Sequence, residues 1–108
     1  MQKDIPGESV TLTRRGGYTI HYIKPCTMER GKVMAKVKLA HPAKDMFERL
    51  AKAGFDDLKA FPDLGIANLR FRGMHIIVFS SGEISIRTAR SREDIFEAAE
   101  LLAKLLAS

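Results

Sequence analysis

The sequence predicts an α+β fold, a two-layer sandwich in which one antiparallel sheet carries two helices packed on one of its faces. Three observations predict it. Strand-like runs recur at residues 32–40, 66–72, 75–80 and 83–89, the first with clean period-two alternation and 75–80 apolar on both sides. Two amphipathic stripes at helical spacing follow the first and the last of these runs, over 42–53 and 94–107. The links between the last three runs, Gly73-Met74 and Ser81-Gly82, are too short for parallel crossovers and admit only hairpins. At 108 residues the chain is sized for a single domain.

Residues 1–9 are polar, contain Pro6 and Gly7, and read as a loose terminus, so that 1–17 is expected to be partly flexible. Gly16-Gly17 separates a short stretch, 10–13, from a strand over 18–23 that is rich in β-branched and aromatic residues. Lys24-Pro25 ends or bends it, because proline donates no ladder hydrogen bond. In the strand over 32–40, Val33, Ala35, Val37 and Leu39 share one face, while Lys32, Met34, Lys36 and Lys38 share the other. Pro42 suits a first helical position, and the helix runs to Ala53 with Met46, Phe47, Leu50 and Ala53 on its apolar side and Gly54 as its stop. Residues 55–65 read as a connector with turns around Asp56-Asp57 and Phe61-Pro62. Ser91 with Asp94 resembles a capping box, and Ile95, Ala98, Ala99, Leu102, Leu105 and Leu106 form the stripe of the closing helix.

With both helices on one face, the other sheet face is left bare. Alternation places Lys32, Lys36, Lys38, Asn68, Arg70, Arg72 and Arg87 on it, with Met34, His75, Ile77, Phe79 and Ser85 among them and Glu83, its one acid, at the rim. Charge is also uneven along the chain: residues 1–40 carry eight Lys and Arg against three acids, and residues 41–108 carry ten of each, so the whole excess of +5 lies in the first part. Like charges repel across a sheet face unless a partner supplies counter-charge. Cations that neutralise phosphates, interleaved with apolar side chains that meet bases, suit nucleic acid. The candidate nucleic-acid-binding residues are therefore Lys32, Met34, Lys36, Lys38, Asn68, Arg70, Arg72, Ile77, Phe79 and Arg87. The alternative is a protein-interaction or homodimerisation module whose interface centres on Met34, Ile77 and Phe79, and a third reading holds a small apolar ligand between sheet and helices.

Other function classes find less support. His21 and Cys26 are the one close pair of metal-ligand types, without a third ligand at recognisable spacing, so neither metal nor cofactor is expected. Ser80-Ser81-Gly82 reads as a hairpin turn rather than a nucleophile site, and no phosphate-binding glycine loop occurs; the expectation is a protein that is not an enzyme. No apolar run reaches the roughly 20 residues that span a bilayer, no signal peptide opens the sequence, and a single cysteine fits a reducing cytoplasm; no membrane partner is expected.

Residues 75–106 contain Val78, Phe79, Ser80, Ser81 and Gly82, then Ala89, Arg90 and Ser91, followed by Glu93 and Asp94. This stretch resembles the end of one repeat of the TATA-box-binding protein family, with its apolar-Phe-Ser-Ser-Gly hairpin, acidic helix start and long closing helix. Upstream, the run 32–40 and the helix after Pro42 sit where that family has its first strand and helix, so the resemblance covers about 31–107, one half of the two-repeat family architecture. It implies a TBP-like fold, DNA in preference to RNA, and Phe79 as a wedge against base steps. The second wedge position falls near Ile66, Lys32 stands near the family's groove-reading Asn, and Glu83 replaces a Lys. The chain also resembles small free-standing archaeal proteins with a single such repeat. In the family the first strands of the two repeats meet at a seam, which a hairpin between 18–23 and 32–40 would occupy.

Overall fold

The computed structural model describes residues 13–15, 17–26 and 30–107. Seven strands form one sheet: β1 (Thr13–Arg15), β2 (Tyr18–Pro25), β3 (Val33–Leu39), β4 (Asp56–Phe61), β5 (Ile66–Phe71), β6 (Met74–Phe79) and β7 (Glu83–Ala89). Helix α1 (Met46–Ala53) follows β3, a single 3-10 turn (Pro62–Leu64) follows β4, and α2 (Arg92–Leu106) closes the chain. The spatial order is β1-β2-β3-β7-β6-β5-β4, every neighbouring pair antiparallel. The α+β architecture with two helices on an open antiparallel sheet is thus the one expected. The expectation of a flexible segment over 1–17 lies mostly outside the described residues; of that stretch, 13–15 pairs with β2.

Alternation explains the core. Ile20, Ile23, Ala35, Val37, Leu39, Ala67, Leu69, Ile76, Val78, Ile84, Ile86 and Ala89 point to one side, where Met46 and Leu50 of α1 and Ile95, Ala98, Ala99, Leu102 and Leu106 of α2 meet them in one buried cluster. Helix α2 lies over β2, β3 and β7, and α1 packs beside it toward β4. Tyr18 reaches from β2 to donate a hydrogen bond to Glu100 Oε1 (3.0 Å) on α2. The two helices are also tied end to end: Arg49 Nη1 donates to the carbonyls of Leu105 (3.2 Å) and Ala107 (2.8 Å), satisfying orphan acceptors at the negative end of the α2 dipole.

Several boundaries differ from the expected ones, each for a visible reason. Helix α1 begins at Met46 rather than Pro42, because Pro42 bridges Ala107 and the Ala43 N–H is taken by the Leu106 carbonyl (2.8 Å). Ala53, assigned to its apolar side, is exposed. Strand β2 runs on through Pro25, which pairs with Val33 beyond the reach of β1, so its missing N–H costs no described ladder bond. The hairpin between β5 and β6 turns on Arg72-Gly73, one residue earlier than expected, with both in the left-handed region (φ 53° and 81°) as a two-residue primed turn requires. The 55–65 segment is not a plain connector: its first half is β4, an edge strand on β5.

Ser91 caps α2 as expected, its Oγ accepting from the Asp94 N–H (3.2 Å). Replacing Ser91 by alanine is expected to cost about 1 kcal/mol of stability, read as a lower denaturant midpoint with an unchanged slope.

Candidate functional site

The sheet face opposite the helices is uncovered by any described element, and the register resolves it into three rows. The first row holds Phe61, Ile66 and Phe79 as directly opposed neighbours on β4, β5 and β6, and then Glu83, Lys38 and Thr19 on β7, β3 and β2. Lys59, Asn68, Ile77, Ser85, Lys36 and Tyr22 form the second. In the third, Asp56, Arg70, His75 and Arg87 are opposed in turn, and beyond a bulge lie Met34 and Lys24. At about 4.8 Å per strand, six strands carry each row over roughly 24 Å. One end of the first row is apolar, with Phe61 45% exposed, and six cations (Lys24, Lys36, Lys38, Lys59, Arg70 and Arg87) are spread over the rows.

Local backbone features aim these side chains. His21 is the extra residue of a bulge between Ile20 and Tyr22, which turns Tyr22 out beside Lys36 and Ile23 in beside Ala35. The ammonium of Lys24 lies 4.8 Å from the centre of the Tyr22 ring. A second bulge, at Thr88 (φ 59°), opposes Arg87 and Thr88 to Met34, and Thr88 Oγ1 accepts from the His75 N–H (3.2 Å), joining β6 to β7. Gly65 (φ 70°) lets the chain turn from the 3-10 segment into β5 against Ser80; a Cβ there would stand 2.7 Å from Ser80 Oγ, so the glycine brings Phe61 and Ile66 up to Phe79.

Of the expected site residues, Met34, Lys36, Lys38, Asn68, Arg70, Ile77, Phe79 and Arg87 stand on this face, as do His75 and Ser85. Lys32 sits one residue before β3 and is half-buried. Arg72 is a correction: the turn swings it to the helix side, where it pairs with Glu97 of α2 and lies over the Phe71 ring (5.1 Å). The face is also less free of acid than expected. Asp56 and Asp57, assigned to a turn, belong to β4; Asp57 Oδ2 lies 3.4 Å from Arg70 Nε, and Glu83 lies 3.8 Å from Lys36 Nζ. Lys38 Nζ donates to the Ser81 carbonyl (2.9 Å). These ion pairs are solvent-exposed and hold their partners weakly.

Sequence reasoning missed Tyr22, Lys24, Lys59 and Phe61. Simple alternation from Tyr18 sends Tyr22 inward, and only the bulge reverses it. Lys59 and Phe61 went unseen with β4, whose one pattern signal is the weak alternation of Leu58 and Ala60 against Lys59 and Phe61.

On the helix side, Phe55 and Phe71 meet edge to face (centroids 6.0 Å apart) and, with Leu101 and Leu105, wall an open groove of about 380 Å³. Among the described residues no three His, Cys, Asp or Glu side chains converge as a metal site would need, and no helix is long and apolar enough to cross a membrane.

Fold and face together define the class: an α+β two-layer domain with a one-sided sheet, its bare side mixing cations with apolar and aromatic side chains. Comparison with protein-family models, curated proteins and solved structures finds no match.

Proposed function

We propose that the protein is a non-catalytic nucleic-acid-binding module of the cytoplasm that uses the open sheet face, with DNA preferred to RNA. The observation that carries this reading is the co-location of six cations and the apolar row Phe61–Ile66–Phe79 on one uncovered surface. Lys24, Lys36, Lys59, Arg70 and Arg87 lie where phosphates can be neutralised and counterions released. Phe79, with Ile66 directly opposite, offers an apolar wedge to base steps. This reading also takes residues 31–107 as one repeat of the TATA-box-binding protein kind; the run β3, α1, strands and α2 is compatible with it, with β4 as a strand beyond the three expected between the helices. Because β3 is paired on both edges, by β2 and by β7, two copies cannot join through that strand as the family's repeats do at their seam.

The test is a salt titration of binding to a short DNA duplex. With four or five phosphates neutralised, log K should fall against log salt with a slope of about −4. A slope near zero, or no binding at low salt, overturns the reading. A second reading, a homodimer or protein contact, is favoured by one observation: Phe61, at the apolar end of the face opposite Ile66, is 45% exposed. Sedimentation in the same buffers separates the two, because a salt-resistant dimer that leaves DNA unshifted supports the second.

A further inference from the structure

The open face is not uniform. Beside β4 it sinks into a depression of about 370 Å³ lined by Asp57, Lys59, Asn68, Leu69, Arg70 and His75. Its donors come from three adjacent strands: Lys59 opposite Asn68, and Arg70 opposite His75. Lys59 supplies an ammonium, Arg70 a planar fork of N–H groups, Asn68 an amide and His75 a ring N–H, a donor set that matches the oxygens of a phosphate. Asp57 is the one acid in the lining; its Oδ2 lies 3.4 Å from Arg70 Nε in an exposed pair, so it offsets part of the local positive charge and leaves the cations in excess. The left-handed backbone at Asp57 (φ 53°) and the bulge there push β4 out of register with β5 and open the space between their side chains.

We propose that this depression is a subsite for the terminal phosphate of a nucleic-acid strand. The inference rests on the nucleic-acid reading above and adds to it which part of the ligand is held where. A phosphate inside a chain runs on in both directions and is served by cations on a flat surface, as along β3. A monoester at a strand end projects, carries up to two charges, and fits a recess at the sheet margin. The volume, at the low end of small-ligand pockets of about 300–1,000 Å³, exceeds a bare phosphate and leaves room for the attached sugar.

The experiment measures fluorescence anisotropy with oligonucleotides of one sequence ending in a 5′-phosphate, a 3′-phosphate or hydroxyls only, single-stranded and duplex, with inorganic phosphate as competitor. A phosphate at one end should tighten binding about tenfold, as charge-assisted hydrogen bonds do, and inorganic phosphate should erase that gain. In Lys59→Ala and His75→Ala, both outside the core, the ratio of phosphorylated to unphosphorylated affinity should fall toward one. A ratio of one in the unaltered protein, with the oligonucleotides still bound, overturns the subsite and leaves the face as a binding surface. Inorganic phosphate bound at Lys59 and His75 with no oligonucleotide bound overturns the assignment to a nucleic-acid strand and with it the proposed function.

Discussion

Replacing Lys24, Lys36 and Arg70 together by glutamate is expected to lower affinity for duplex DNA by more than about 100-fold near physiological salt. Each neutralised phosphate contributes about fivefold in binding at about 0.15 M salt through counterion release, so three lost contacts account for about 100-fold before any repulsion is counted. The three side chains stand on β2, β3 and β5, so the reversal spans the face instead of one corner. Lys36 and Arg70 have 41% and 60% exposed side chains, and neither belongs to the core, which keeps the fold intact. Reversal at Lys36 also sets a second acid beside Glu83. The matching reversal on the helix side, Lys44→Glu, Lys52→Glu and Lys104→Glu together, alters charge as much without touching the face and should leave binding within about twofold. Equal losses from both sets would mean that net charge alone attracts DNA.

Ile86→Ala is the change expected to cost most in stability, about 2–5 kcal/mol. Ile86 is fully buried on β7, opposite Ile76 on one side and Ala35 on the other, beneath α2. Truncation removes apolar contacts and leaves a cavity in a close-packed layer that two flanking strands prevent from collapsing. A midpoint shift of about 4–8 °C per kcal/mol makes this a drop of at least about 8 °C in thermal unfolding. Ser85, the preceding residue, points the other way, and Ser85→Ala should leave the melting temperature nearly unchanged. A small effect at Ile86, or a large one at Ser85, would mean that the faces of β7 are misassigned.

That contrast shows how much of the fold could be read from residues alone. In β3, β6 and β7 the inward positions are aliphatic and mostly without exception, so period two sorted Lys36, Ile77, Ser85 and Arg87 onto the open side. Ser91 and Gly54 marked their helix ends through chemistry local to the turn. What escaped was decided by distant partners. Strand β4, Asp56–Phe61, is composed largely of residues that strands avoid; it is extended because β5 supplies its ladder, and it buries almost nothing. The start of α1 was moved by the chain end at Leu106 and Ala107. The bulges at His21, Asp57 and Thr88 place an extra residue where the sequence offers no glycine to announce it, and each redirects a side chain of the site: Tyr22, Arg70's partner Asp57, and Arg87. Arg72 was carried to the helix side by a turn starting one residue early, a shift that alternation cannot detect.

Amide chemical-shift mapping during titration with a short DNA duplex distinguishes contact through the uncovered sheet face from contact through the helical layer. Contact through the sheet face should concentrate shifts at Tyr22, Lys36, Asn68, Ile77, Phe79 and Arg87, with the exposed positions Glu48, Lys52, Glu93 and Lys104 of the two helices unmoved. Shifts that gather along α1 and α2 while those strand amides stay still would contradict it.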